Sequence, residues 1–297
     1  MKELVVISGK GGTGKTSVVA SLAALAKRPV LADCDVDAAD LHLVLEPTVE
    51  RREEFSGGSR ARILPEKCVA CGRCAEVCRF GAICVDGPGS DTLAKTYRVD
   101  PIGCEGCGVC AWFCPAGAIE FLPAVNGEWL VSTTRFGPMV HARLGVAEEN
   151  SGKLVTRVRK EAAAIAERDG HELLLVDGSP GIGCPVIASL TGADAALIVT
   201  EPTLSGLHDL ERVAQVARGL GIETMIAINK HDLNDEIAGR IERLAVERGL
   251  AVVGRIRYDG AVTDAQRRRQ TVVEYGGDGA AADIEEIWRA VMRRVAA

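Results

Sequence analysis

The segment that most limits the possible folds is GKGGTGKTS at residues 9–17, set between a short apolar run at 4–8 and an alanine-rich stretch at 16–26. The run reads as a buried strand and the stretch as a helix, so the glycines turn a strand directly into a helix. In that context G-x4-G-K-[ST] is a phosphate cradle. Gly9, Gly11, Gly12 and Gly14 let backbone N–H groups approach phosphate oxygens, and the helix N-terminus adds partial positive charge. Lys15 is placed to reach β- and γ-phosphates and the Thr16 hydroxyl to ligate Mg²⁺, with Thr13 and Ser17 completing the loop.

The same alternation runs on. Strands are predicted at 30–33, 173–176, 195–200, 224–229 and 250–256, and helices at 152–167, 205–218, 235–248 and 283–295. Short apolar runs alternating with amphipathic helices imply an α/β fold with a mostly parallel, doubly wound sheet. Three predicted strands end in polar groups: Asp33-Cys34-Asp35, Asp177 before Gly178-Ser179-Pro180-Gly181, and Asn229-Lys230-His231-Asp232.

The middle of the chain differs. There are 11 cysteines, an odd number, and nine of them fall from Cys68 to Cys114, eight in a repeated motif and Cys84 outside it. The first apolar run is too short for a signal peptide, and no 18 consecutive residues are apolar; 185–199 comes nearest and is broken by Asp194. The expected location is therefore cytoplasmic, where clustered cysteines hold metal more often than they form disulfides. CVACGRCAEVCRFGAICV from Cys68 and CEGCGVCAWFCPAGAIEF from Cys104 share nine of 18 positions, the four paired cysteines included, so the segment is an internal repeat. Each copy reads C-x2-C-x2-C-x3-C, a spacing in which three thiolates wrap one [4Fe–4S] cube and the fourth reaches the other. That assigns Cys68, Cys71, Cys74 and Cys114 to one cluster and Cys78, Cys104, Cys107 and Cys110 to the second. Zinc, the alternative, favours two separated pairs. Arg79 stands where Pro115 follows the second set. The polar stretch 50–62 reads as a surface connection, and composition returns to that of the flanks after Pro123. The expectation is a domain of 1–59 and 124–297 interrupted by a small domain at 60–123. That insert resembles a bacterial-type two-cluster ferredoxin.

Lys10 carries further information. A second lysine in KGGTGKT resembles the deviant Walker A loop of the MinD/ParA/Mrp/nitrogenase-iron-protein class of P-loop ATPases. PMVHARLGVAEENSGKLV from Pro138, DGSPGIGCPVIASLTGADAALIVTEPTLSGLHDL from Asp177 and AINKHD from Ala227 are similar to members that carry an inserted ferredoxin domain. The resemblance implies that Lys10 crosses to a partner's nucleotide, coupling ATP and Mg²⁺ binding to a homodimer or a heterodimer with a similar ATPase. It implies catalytic work by Lys10, Lys15 and Asp35, with Asp35 orienting the attacking water or facing the metal, and Asp177 holding Mg²⁺ through water. Asp37 and Asp40 are alternatives to Asp35. Asn229 is the adenine-contact candidate, although N-K-x-D, with Asp232, also serves guanine in GTPases. Cys184, seven residues after Asp177, resembles in spacing the cluster-ligand cysteine of the nitrogenase iron protein, a possible extra metal or redox site.

Other features read plainly. Cys34 and Cys84 are expected in the core, His141 as solvated or core-satisfied, and the basic run 267–269 as a solvated helix face. Ile284, Ile287, Trp288, Val291 and Val295 form a stripe that MinD would place on a membrane, but its mixed-charge polar face predicts docking on the sheet. With 35 basic against 41 acidic residues the chain carries −6, which excludes a nucleic-acid binder relying on net positive charge; two oxidised clusters would add about −4. Three functions fit: an ATPase that assembles or delivers iron–sulfur or related metallocofactors to an apo-protein client, an ATP-gated low-potential electron donor to a redox partner, and a nucleotide-dependent positioning switch. Two clusters count against the third.

Overall fold

The computed structural model describes residues 1–91, 93–145 and 151–296. Residues 146–150 of the PMVHARLGVAEENSGKLV stretch lie outside them. In chain order, β1 (Lys2–Ser8) leads into α1 (Lys15–Leu25), then β2 (Val30–Asp33), α2 (Leu41–Leu45) and β3 (Thr48–Phe55). β4 (Gly58–Ile63), α3 (Arg73–Val77), β5 (Ile83–Gly87), β6 (Thr96–Val99), α4 (Val109–Trp112) and β7 (Ile119–Ala124) follow, then β8 (Gly127–Thr133) and β9 (Pro138–Leu144). The remainder alternates as α5 (Ser151–Asp169), β10 (Leu173–Pro180), α6 (Cys184–Leu190), β11 (Ala195–Thr200), α7 (Leu204–Gly219), β12 (Glu223–Asn229), α8 (Asp235–Arg248) and β13 (Ala251–Ile256). Three helices close it: α9 (Gly260–Arg267), α10 (Val272–Tyr275) and α11 (Ala280–Val295).

The chain divides into two compact units. The larger comprises residues 1–53, 129–143 and 151–296, and the smaller residues 54–128 with Leu144 and Gly145.

The larger unit is built on a sheet of order β13-β12-β11-β1-β10-β2-β9-β8-β3. Every pairing from β13 through to β9 is parallel. Leu4, Val5, Val6 and Ile7 of β1, Leu174, Leu175 and Val176 of β10, and Ala196, Leu197 and Ile198 of β11 are fully buried. Unbroken apolar runs are what a sheet covered on both faces requires. β1 connects over β10 to β2, and β10 connects back over β1 to β11, so the chain leaves the middle of the sheet in opposite directions. A crevice opens at such a switch point, beyond the carboxyl ends of the strands.

α11 docks on this sheet. Ile284, Ile287, Val291 and Val295 are buried, and Gly254 of β13 is packed so closely on Ile287 that a Cβ there would overlap it. No described helix is long and apolar enough to cross a membrane.

In the smaller unit β4 pairs antiparallel with β7, and β5 with β6. The sequence repeat is also a backbone repeat. Left-handed φ values recur at equivalent positions: 53° at Ala70 and 64° at Gly106, 80° at Gly72 and 76° at Gly108, 64° at Gly81 and 58° at Gly117. Ala61, Cys74, Ile83 and Cys110 form a small core between the copies.

Two expectations are corrected. Residues 50–62 are not an open connection: they form most of β3 and β4. TVERREEF lies at the sheet edge with its side chains in solvent, so it carries charge and no apolar alternation to betray a strand. Cys84 is exposed on β5 rather than buried, whereas Cys34 is fully buried.

Candidate functional site

The glycine loop lies at the carboxyl end of β1, at the switch point. Gly12 and Gly14 hold left-handed φ of 80° and 84°, and a Cβ on Gly14 would overlap the Asn229 amide. Gly14 caps α1 without any side-chain hydrogen bond, leaving first-turn N–H groups for an anion. The loop lines a cleft together with Asp35, Asp40, Pro180, Thr263, Gln266 and Arg267.

Lys15 is the electrostatic centre. Only 6% of its side chain is exposed; its Nζ is ion-paired with Asp177 Oδ1 and lies 3.4 Å from Asp35 Oδ2. Burial disfavours the ammonium, but Asp177, Asp35 and Asp33 outweigh it and raise the Lys15 pKa. Burial raises the pKa of Asp35, with Lys15 opposing and Asp177 adding repulsion. Fully buried Asp33 is pushed well up by burial and by Asp177. It accepts from the N–H groups of Asp35 (3.2 Å) and Leu41 (3.3 Å), so it shapes the loop that carries Asp35.

Two buried polar atoms beside Lys15 have no partner: Thr13 Oγ1 and Asp177 Oδ2. An orphaned carboxylate oxygen facing a phosphate cradle fits a Mg²⁺-bound water, and an orphaned hydroxyl fits a phosphate oxygen. The residues present therefore suit Mg²⁺ and nucleotide. Asp35 and Asp40 both line the cleft, Asp35 within 3.4 Å of Lys15, and Asp37 does not line it.

Asn229, 9% exposed, is a strut of the loop. Its Nδ2 donates to Thr13 O at 2.7 Å and its Oδ1 accepts from Lys230 N at 3.0 Å, leaving one N–H for a base. Asp232 accepts from Tyr258 N at 2.7 Å. A second cleft, lined by Gly14, Asn229, Arg257, Tyr258 and Asp259 among others, adjoins the first and suits a nucleobase.

Lys10 turns back on its own chain, to Glu201 Oε1 at 2.6 Å. Neither Glu201 nor Lys230 and Gln266 was a candidate from sequence. Lys230 Nζ donates to Gly12 O at 3.2 Å, and Gln266 Nε2 donates to Ser17 Oγ at 2.8 Å. The signals were the place of Glu201 and Lys230 just past predicted strands, where ligands of open α/β sheets gather, and for Lys230 its position within N-K-x-D. His141 lies in the core, its Nε2 2.8 Å from Ser132 Oγ. Burial, with His42, Arg143 and Arg52, pushes its pKa down to about 4. Arg267, expected on a solvated face, is exposed but stands at the cleft. Cys184 is exposed at the start of α6.

In the smaller unit, Cys68, Cys71, Cys74 and Cys114 line one small cavity, and Cys78, Cys104, Cys107 and Cys110 line another. Among the described residues, no three His, Cys, Asp or Glu side chains converge tightly enough for a single metal ion. A four-iron cube spreads its thiolates apart, so four cysteines around a cavity suit it where a tetrahedral zinc site needs convergence on a point. Backbone amides already point at sulfur: Ala70 N–H donates to Cys68 Sγ at 3.4 Å and Ala118 N–H to Cys114 Sγ at 3.3 Å. Burial pushes the Cys74 thiol up to about 11 and raises Cys110 too, with the Ala75 and Ala111 amides opposing.

A mostly parallel sheet, a strand–glycine loop–helix at its switch point, and Lys15 between Asp35 just past β2 and Asp177 in β10 define the class: a P-loop ATPase. The family model of the CobQ/CobB/MinD/ParA nucleotide binding domain matches residues 4–272, and the chain belongs to that family. An uncharacterised protein of Methanocaldococcus jannaschii is 34% identical over 236 residues, covering 78% of this chain and 79% of its own. A second from the same archaeon is 26% identical over 255 residues, 79% of this chain and 83% of its own. Among solved structures, the cell division ATPase MinD of Pyrococcus furiosus matches with TM-score 0.59 at 18% identity, covering 99% of both chains. MinD of Pyrococcus horikoshii, complexed with Mg-ADP, gives 0.58 at 17% identity over 98% of this chain and 95% of its own. At such identities these structures establish the fold alone.

Proposed function

We propose that this chain is an ATP-driven iron–sulfur protein whose nucleotide-dependent dimer assembles or delivers iron–sulfur cofactors to an apo-protein client. The observation that carries the reading is the sorting of eight cysteines, interleaved in sequence, into two separate four-cysteine cavities. Cys68, Cys71, Cys74 and Cys114 would hold one [4Fe–4S] cluster and Cys78, Cys104, Cys107 and Cys110 the other. Thr16 and Asp177 would hold Mg²⁺. When bound, Mg²⁺ supplies neutralisation of phosphate charge, and the clusters supply iron, sulfide and low-potential electrons.

The chain's own residues do the rest. Lys15 exchanges its carboxylate partners for the β- and γ-phosphates, which frees Asp35 to accept a hydrogen bond from the attacking water. Thr13 Oγ1 gains the acceptor it lacks. Lys10 extends to a second protomer's nucleotide. Hydrolysis returns Lys15 to Asp35 and Asp177; Cys34 N–H donates to Asp177 O at 2.8 Å and Ser179 Oγ to Cys34 O at 2.6 Å, so a shift of Asp177 would be passed to the segment after it.

The test is anaerobic reconstitution followed by transfer. Delivery predicts about eight irons per chain, and activation of an apo-ferredoxin that accelerates with ATP. Iron that stays bound while an acceptor is reduced only in the presence of ATP would replace delivery with electron transfer. A chain that binds no more than one or two irons would sink both.

A further inference from the structure

Lys10 is not free in the single protomer. Besides Glu201 Oε1 at 2.6 Å, its Nζ donates to Ser205 Oγ at 3.0 Å and Thr203 Oγ1 at 3.3 Å. An ammonium has three protons, and all three have acceptors here. The acceptors lie on one short segment between β11 and the first turn of α7. Glu201 is 16% exposed and also lies 3.4 Å from Lys230 Nζ, which in turn donates to Gly12 O. Burial alone would raise the Glu201 pKa, but Lys10 and Lys230 bring it below the usual glutamate value. The glycine loop, the end of β11 and the end of β12 are thereby joined in one circuit of charge. A lysine held by three bonds inside its own protomer cannot reach outward until they break.

We propose that Glu201 is a positioning residue that holds Lys10 in the resting protomer and so sets the threshold for nucleotide-dependent dimerisation. The proposal rests on the reading that Lys10 engages a partner's nucleotide. Lys230 makes the device reversible: once Lys10 leaves, Glu201 keeps a cationic partner, so release does not strand an unpaired carboxylate. Ser205 and Thr203 are left solvated or paired with each other, at 3.2 Å.

The experiment is sedimentation equilibrium of the full chain with Mg²⁺ and a non-hydrolysable ATP analogue. It compares wild type, Glu201→Gln, Lys10→Ala and the double variant, each checked for a cooperative thermal transition. If the latch is worth roughly fivefold per protomer, Glu201→Gln strengthens dimerisation about 25-fold, because both protomers must open. Glu201→Asp, one methylene shorter, gives a smaller gain in the same direction, and keeps the test open should the glutamine variant fold poorly. Removing Lys10 must abolish the gain in the double variant. A folded Glu201→Gln chain that dimerises no better than wild type overturns the latch and leaves the dimer reading standing, and so does a gain that survives Lys10→Ala. A wild-type chain that stays monomeric with the analogue overturns both.

Discussion

Replacing Lys15 by methionine keeps the length of the side chain and removes its charge from among three carboxylates. In the resting protein that charge offsets Asp177 and Asp35 at contact range and Asp33 one step further out. Removing one partner of a buried ion pair costs about 3–5 kcal/mol, because the other charge stays buried without compensation. Asp33 and Asp35 already have raised pKa values and can respond by taking up protons. For an acid whose folded pKa lies above its unfolded value, the folded state binds more protons. Stability is then fully present below the unfolded pKa and is lost as pH rises through the folded one. Without Lys15 both pKa values climb further, at about 1.4 kcal/mol per unit and group. Lys15→Met is therefore expected to cost about 3–5 kcal/mol at pH 8, a fall in Tm of roughly 6–20 °C for a unit of this size, and clearly less at pH 5. Thermal unfolding followed by far-ultraviolet circular dichroism, without nucleotide, at both pH values reads this directly. A variant as stable as wild type at pH 8, or equally destabilised at both pH values, refutes the account of Lys15 as the counter-charge of the carboxylates.

Other outcomes follow from the same geometry. Gly14→Ala forces a left-handed φ on alanine and drives its Cβ into the Asn229 amide, so nucleotide affinity measured by calorimetry should fall at least 30-fold. Ile287→Ala opens a cavity under α11 against Gly254 and should cost about 2–5 kcal/mol in urea unfolding; no loss would mean that α11 is not docked on the sheet. His141, with its pKa held near 4, favours the folded state above the unfolded value of 6.5 and loses that advantage as pH falls toward 4, so His141→Gln should flatten the stability profile between those limits by about 3 kcal/mol. Cys107→Ser should remove one cluster and leave the other, halving reconstituted iron to about four per chain; complete loss would show that the two cavities do not load independently.

What the sequence disclosed and what it hid divide along a physical line. The glycine loop, Asp177 and the grouping of the eight cysteines were legible because each is written as residues of fixed type at fixed spacing. The crosswise grouping of the cysteines, expected from the two-cluster spacing, matches the way they line two separate cavities. β3 was not: a strand that turns its charged side chains to solvent lacks the alternation by which a strand is recognised, and in β4 the alternation is confined to Arg60–Ile63, too short a run to stand out. Cys84 misled for a related reason, because ICVDG is apolar in composition yet presents Cys84 and Val85 to solvent.

Glu201 and Lys230 were hidden more deeply. Neither the apolar run before Glu201 nor the N-K-x-D motif around Lys230 points to the glycine loop's lysine, and each meets the loop because β11 pairs with β1 and β12 pairs with β11. That adjacency belongs to the strand order and not to any local pattern. It places the two residues beside Lys10 and Gly12, nearly two hundred or more positions away in the chain. The two lysines of the loop consequently have opposite tasks in the resting protein. Lys15 points inward and compensates charges that cannot leave, so its removal is read as lost stability. Lys10 points toward a carboxylate that keeps a second partner, so on the proposed latch its release is expected to change association more than folding. A single loop of nine residues thus contains both the charge that holds the protomer together and the charge whose release would let two protomers meet.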